Sequence, residues 1–110
     1  MTEKGQKYLA DIVRAIELIQ QFTESIENYS EYVSDLKTQS AVERQLGIIG
    51  EAVNKFEISC PDISLENARK IVGFRNRIIH AYDSIDNSIV WVIIQKYLEP
   101  LHNEALQKLK

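Results

Sequence analysis

Apolar positions along this chain recur in steps of three and four, which is the spacing of helices that bury one face. Tyr8, Ile12, Ala15, Ile19, Phe22 and Ile26 form the first such series, widened by Leu9, Val13 and Ile16. They predict a first helix over roughly residues 3–28. The stretch NYSEYVSDLKTQS that follows is polar and reads as a connector, with Ser30 or Ser34 as the cap of a short helical turn. Val42, Leu46, Ile49, Val53 and Phe56 repeat the stepping in a second helix, roughly residues 37–57, whose other side carries Arg44, Glu51 and Lys55. Gly47 and Gly50 each weaken a helix by up to about 1 kcal/mol against alanine, so a close approach by a neighbouring helix is expected at that flank.

Pro61 interrupts the pattern, and Ser64 is the expected cap of a third helix. Leu65, Ala68, Ile71, Val72, Ile78 and Ile79 give that helix an apolar side through about residue 82, with Arg75 where an aliphatic residue would be expected. In DSIDNS, Asp86 is the favoured cap of the next element. Ile89 to Ile94 is rich in β-branched residues and strand-like by itself, but nothing else in the chain supplies a partner strand. A fourth helix is therefore predicted, apolar on nearly every side and suited to contact with a second subunit. Pro100, which has no amide hydrogen, is expected to kink or divide it near Lys96. The elements add up to an all-α, antiparallel four-helix bundle, with a short extra helical turn between helices 1 and 2 and a Pro-kinked last helix, as one domain over residues 1–110.

The size of the chain, 110 residues, suits a single buried core, and its 45% hydrophobic content is that of a globular domain. No apolar run is long enough to span a bilayer, and the N-terminal residues lack the layout of a secretion signal, so a cytoplasmic protein without membrane contact is expected. Cys60 is the only cysteine, which excludes an internal disulfide or a multi-cysteine zinc site and leaves a passive thiol. A net charge of −3 argues against a surface positive all over. Locally the balance differs: Arg69, Lys70, Arg75 and Arg77 set four cations within nine residues, with no acid among them.

Two of those cations fall in RNRIIHAY, residues 75–82. On an ideal helix Arg75 and His80 are about 140° apart, so one ligand meets both only in a groove, such as two copies of the helix form across a symmetric dimer. A histidine exchanges protons near neutral pH and a guanidinium binds phosphate oxygens, which together suit phosphodiester chemistry. With RNA, the ribose 2′-hydroxyl can serve as nucleophile, and no metal or cofactor is needed. The bland reading makes His80 a dipole-stabilised helix end, Arg75 a solvated cation and Tyr82 a half-buried core residue, and spacing alone favours it. Other candidates are thinner. Glu51 reads as a solvated carboxylate, His102 as a surface residue, and Trp91 as core or dimer interface rather than a base-stacking platform.

Arg75, four residues, His80, one residue and Tyr82 resemble the Arg-x4-His-x-Tyr signature of HEPN-domain proteins, specifically the HepT-like toxins. The segments AVERQLGIIGEAVNK, residues 41–55, IVGFRNRIIHAY, residues 71–82, and the following SID and VW are similar to that family in order and spacing. The resemblance implies a dimeric, metal-independent endoribonuclease toxin, of a type II or VII-like toxin–antitoxin pair, with Arg75 and His80 as the catalytic pair in a homodimer cleft. It implies Asn76 and Arg77 as supporting, phosphate-binding residues and a minimal nucleotidyltransferase antitoxin as partner. That partner would neutralise the toxin by complex formation and by transferring AMP to Tyr82, beside Arg75, where an added phosphate repels RNA. The alternative is a non-catalytic helical subunit that binds substrate or nucleotide for a nucleotidyltransferase complex.

Overall fold

The computed structural model describes residues 1–80 and 86–110, and the side chains of residues 75–80 lie outside the description. Among the described residues every regular element is helical: α1 Glu3–Thr23, α2 Tyr29–Val33, α3 Leu36–Ser59, α4 Arg69–His80, α5 Asn87–Val92 and α6 Leu98–Leu109. One 3₁₀ turn, Glu66–Ala68, leads into α4, and a π turn, Ile93–Tyr97, joins α5 to α6. The all-α bundle expected from the pattern is thus the fold.

Its centre is the pair α1 and α3. Leu9, Ile12, Ile16 and Ile19 on one helix and Val42, Leu46, Ile49, Val53 and Phe56 on the other are fully buried, the positions that the stepping marks as the core face. The two helices run antiparallel, because Gly5 at the start of α1 meets Cys60 at the end of α3. A β-carbon on Gly5 would stand 2.6 Å from the Cys60 sulfur, so close approach is required at Gly5. Gly47 and Gly50 were the expected points of such an approach; nothing described beyond its own helix would lie within 4 Å of a β-carbon on Gly47, whereas Gly50 is buried. Helix α6 packs on α1, and α4 packs on α3.

Several helix ends differ from the local reading. Helix α1 stops at Thr23 instead of residue 28, where the Thr23 hydroxyl donates to the Ile19 carbonyl at 2.8 Å and the Ile26 amide donates to the Thr23 carbonyl at 3.0 Å. Ile26 still packs against the core, from the turn, which is why the apolar series outruns the helix. The cap of α2 is Asn28, not Ser30 or Ser34; its Oδ1 accepts from the Glu31 amide at 3.0 Å. Asp35 caps α3, and hydrogen bonds from the Thr38 hydroxyl and amide hold its carboxyl below the usual carboxylate range. Asp86 caps α5 as expected. Ser64 caps nothing: the entry to α4 is capped by Glu104 of α6, whose carboxylate accepts from the Glu66 and Asn67 amides, each at 3.0 Å.

The last helix is divided near Lys96. The Pro100 nitrogen cannot donate to the Lys96 carbonyl, and the ladder widens upstream, with the Leu98 amide donating to the Ile93 carbonyl five residues back. No helix among the described residues is long and apolar enough to cross a membrane.

A polar corner sits where α2 meets α3. Gln39, itself buried, donates through Nε2 to the Tyr32 and Val33 carbonyls at 2.9 and 2.8 Å, satisfying the end of α2. Tyr32 is fully buried with its ring 5.7 Å from that of Trp91, and its hydroxyl has no hydrogen-bond partner among the described residues. Burial, with the nearby Glu43 and Asp35 charges, pushes its ionisation far above the ordinary tyrosine value. An unpartnered buried hydroxyl costs about 1–3 kcal/mol. Tyr32→Phe should therefore raise stability, by about 1 kcal/mol in a urea or thermal melt. A clear loss of stability would mean that the hydroxyl is hydrogen-bonded in solution.

Candidate functional site

Helix α4 carries the residues that the sequence singled out. Leu65, Ala68, Ile71 and Phe74 are buried and seat the first half of the helix, while the Glu104 carboxylate holds its entry, also accepting from Asn67 Nδ2 at 3.0 Å. Glu104 is only 14% exposed, and Lys108 stands 3.8 Å from it one turn along α6. A carboxylate at a helix start satisfies free amides and complements the dipole.

From this anchored start α4 runs to His80, so Arg75, Asn76, Arg77 and His80 all occupy helical positions. Their side chains lie outside the described residues, as does Tyr82 altogether. Helical register alone places positions 70, 73, 77 and 80 along one face, with position 75 set off from them.

A groove of about 420 Å³ opens beside that face. Arg69, Lys70, Gly73 and Phe74 of α4 form one side. Ser88, Ile89 and Val92 of α5, with Ile93 and Tyr97 of the π turn, form the other. Its floor is apolar, because Phe74 and Ile93 are buried, and among the described residues its rim carries two cations and no acid. On the other side of α4 a second hollow, about 360 Å³, is bordered by Glu57 and Glu66 and shares Arg69 and Gly73 with the first. The two sides of α4 thus differ in charge. The displaced titrations among the described residues, raised by burial at Tyr32 and Glu43 and lowered by hydrogen bonds at Asp35, lie on α2 and α3, away from this groove.

The remaining candidates sort differently. Trp91 is half-buried, with its ring 6.3 Å from Tyr29 and 5.7 Å from Tyr32, and belongs to the core edge as expected. Cys60 is buried, in keeping with a passive thiol. Glu51 is on the exposed side of α3. His102 is not the surface residue that was expected: its side chain is 17% exposed and its Nε2 is 3.1 Å from Glu17 of α1, a partner too far along the chain for ligand spacing to reveal. The pattern also did not single out Gly73 or Tyr97 as residues bordering the groove. The signal for Gly73 was present, since it follows Arg69 by four residues and Lys70 by three.

The chain is similar to known proteins over most of its length. A family model described as Ribonuclease HepT-like matches residues 12–107. "Probable ribonuclease HepT" of Thermococcus cleftensis is 37% identical over 114 residues, covering 98% of this chain and 100% of that protein. "Putative RNase MJ1380" of Methanocaldococcus jannaschii is 32% identical, covering 89% of this chain and 90% of that protein. "Putative RNase TTE0752" of Caldanaerobacter subterraneus is 31% identical, with coverage of 94% and 95%. No solved structure matches the chain.

Proposed function

This chain belongs to the family of HepT-like ribonucleases, and from that premise we propose that it is a metal-independent endoribonuclease toxin of the cytoplasm. Arg75 and His80 do the chemistry. His80 takes the proton of a ribose 2′-hydroxyl and returns one to the departing 5′-oxygen, while Arg75 neutralises charge building on the phosphate between them. The bond formed is 2′-oxygen to phosphorus and the bond broken is phosphorus to 5′-oxygen, leaving a 2′,3′-cyclic phosphate and a 5′-hydroxyl. Asn76 and Arg77 hold the phosphate. The observation that carries this reading is the near full-length match to ribonucleases in a chain whose Arg75 and His80 occupy one unbroken helix.

Their separation of about 140° on that helix supports a cleft made by two copies of the chain, each contributing the same residues. The proposed regulator is a minimal nucleotidyltransferase antitoxin that binds the dimer and transfers AMP to Tyr82. A phosphate there would compete for the Arg75 guanidinium and repel RNA.

Purified protein incubated with RNA in excess chelator is expected to generate 2′,3′-cyclic phosphate ends. A protein that binds RNA or nucleotide but leaves RNA intact would instead be the binding subunit of a nucleotidyltransferase complex. With the nucleotidyltransferase encoded beside it, ATP and magnesium, the peptide containing Tyr82 is expected to gain the mass of AMP and cleavage to stop. An unmodified Tyr82 peptide in an inhibited mixture would reduce the partner's role to complex formation.

A further inference from the structure

The groove between α4 and the α5–π turn has no role in the chemistry just described. It borders the same helix face as positions 77 and 80, and its far end, at Arg69 and Lys70, is about 15 Å along α4 from His80. Its volume, about 420 Å³, falls in the usual range for a site that holds one small ligand.

Three features say what kind of ligand fits. The rim is cationic, with Arg69 and Lys70 exposed and no acid among the described lining residues, whereas the hollow across α4 has Glu57 and Glu66 on its border. The floor is apolar, and Tyr97 adds a half-buried aromatic ring. Gly73 keeps the wall open: nothing described beyond its own stretch of helix lies within 4 Å of where its β-carbon would be, so packing among the described residues does not explain a residue that weakens the helix. The π turn, an irregularity often found at functional positions, has both its ends, Ile93 and Tyr97, on this groove.

We propose that this groove is a nucleotide subsite for the RNA strand flanking the cleaved bond. An unpaired base lies on the apolar floor against Tyr97. Arg69 and Lys70 hold the adjoining phosphates, and Gly73 lets the backbone of the RNA approach α4. Flat apolar surfaces beside cations suit single strands, whose bases are free to stack. The acidic border across α4 steers the strand to this side. The inference rests on the ribonuclease reading for its ligand, but its test does not need cleavage.

The probe is a fluorescent 2′-O-methyl oligoribonucleotide, which has no 2′-hydroxyl to attack, followed by anisotropy. Gly73→Leu fills the groove and is expected to raise Kd about tenfold, the scale of losing one stacked base. The double variant Arg69→Ala and Lys70→Ala is expected to flatten the slope of log Kd against log salt by about 1.4, two phosphates at about 0.7 each. Unchanged affinity and slope in both variants would overturn the proposal. So would a Gly73→Leu protein that alters its oligomeric state while keeping its affinity, because the groove would then be covered by a second copy. Failure of the ribonuclease reading appears separately, as intact RNA in the cleavage assay while this binding remains measurable.

Discussion

His80→Ala is expected to lower the rate of RNA cleavage by about 10²- to 10⁴-fold, the usual contribution of a positioned general acid–base group. Alanine can neither accept the 2′-proton nor protonate the leaving 5′-oxygen. Arg75→Ala is expected to be similarly severe, by loss of the cation proposed to steady the transition state. Arg75→Lys should recover only part of the rate, because an ammonium lacks the planar fork that engages two phosphate oxygens. The helix supporting these positions is seated by Leu65, Ala68, Ile71 and Phe74, upstream of both, so each variant should melt as the parent does. Single-turnover rates with saturating RNA in chelator, beside a thermal melt, check this. Undiminished cleavage by a folded His80→Ala protein would remove the imidazole from the mechanism.

Glu104→Ala is the second large effect, on stability. The carboxylate accepts hydrogen bonds from the Glu66 and Asn67 amides and from Asn67 Nδ2, and is itself mostly buried. Deleting a helix cap costs about 1–2 kcal/mol, and bonds to a charged acceptor lie at the upper end of such values. For a domain of this size each kcal/mol lowers the melting temperature by about 4 °C, so a fall of about 4–8 °C is expected. Glu104→Gln, with one acceptor oxygen left, should fall in between. Ser64→Ala tests the assignment from the other side. Ser64 is the cap that the local pattern designates, but it is exposed while the entry amides bond to Glu104, so its removal should change stability by less than about 0.5 kcal/mol. If Ser64→Ala proves as damaging as Glu104→Ala, the long-range cap is not formed.

That contrast marks the boundary of what neighbouring residues can say. Asp86 was legible as a cap because the amide that donates to its carboxylate, that of Ser88, belongs to its own next turn. Glu104 was not, since its amides are 37 and 38 residues away and come within reach only when α6 lies against the start of α4. His102 with Glu17, and Gln39 with the end of α2, belong to the same class. The glycines show it too. The helix penalty at Gly47 pointed to a close contact that is not there, while one that no local signal marked is at Gly5, where the end of another helix crosses.

The sequence by itself determined that the chain is helical, which residues of α1 and α3 form the centre of its core, and that Arg75 and His80 ride one helix. These follow from a 3.6-residue period, and a period is carried by residues a few positions apart. The tertiary structure alone decided which helix caps which, and that α4, α5 and a π turn leave a cationic groove beside the helix bearing the motif. Those features depend on the angle and offset at which whole helices pack. Many side chains set that geometry together, and no local pattern encodes it.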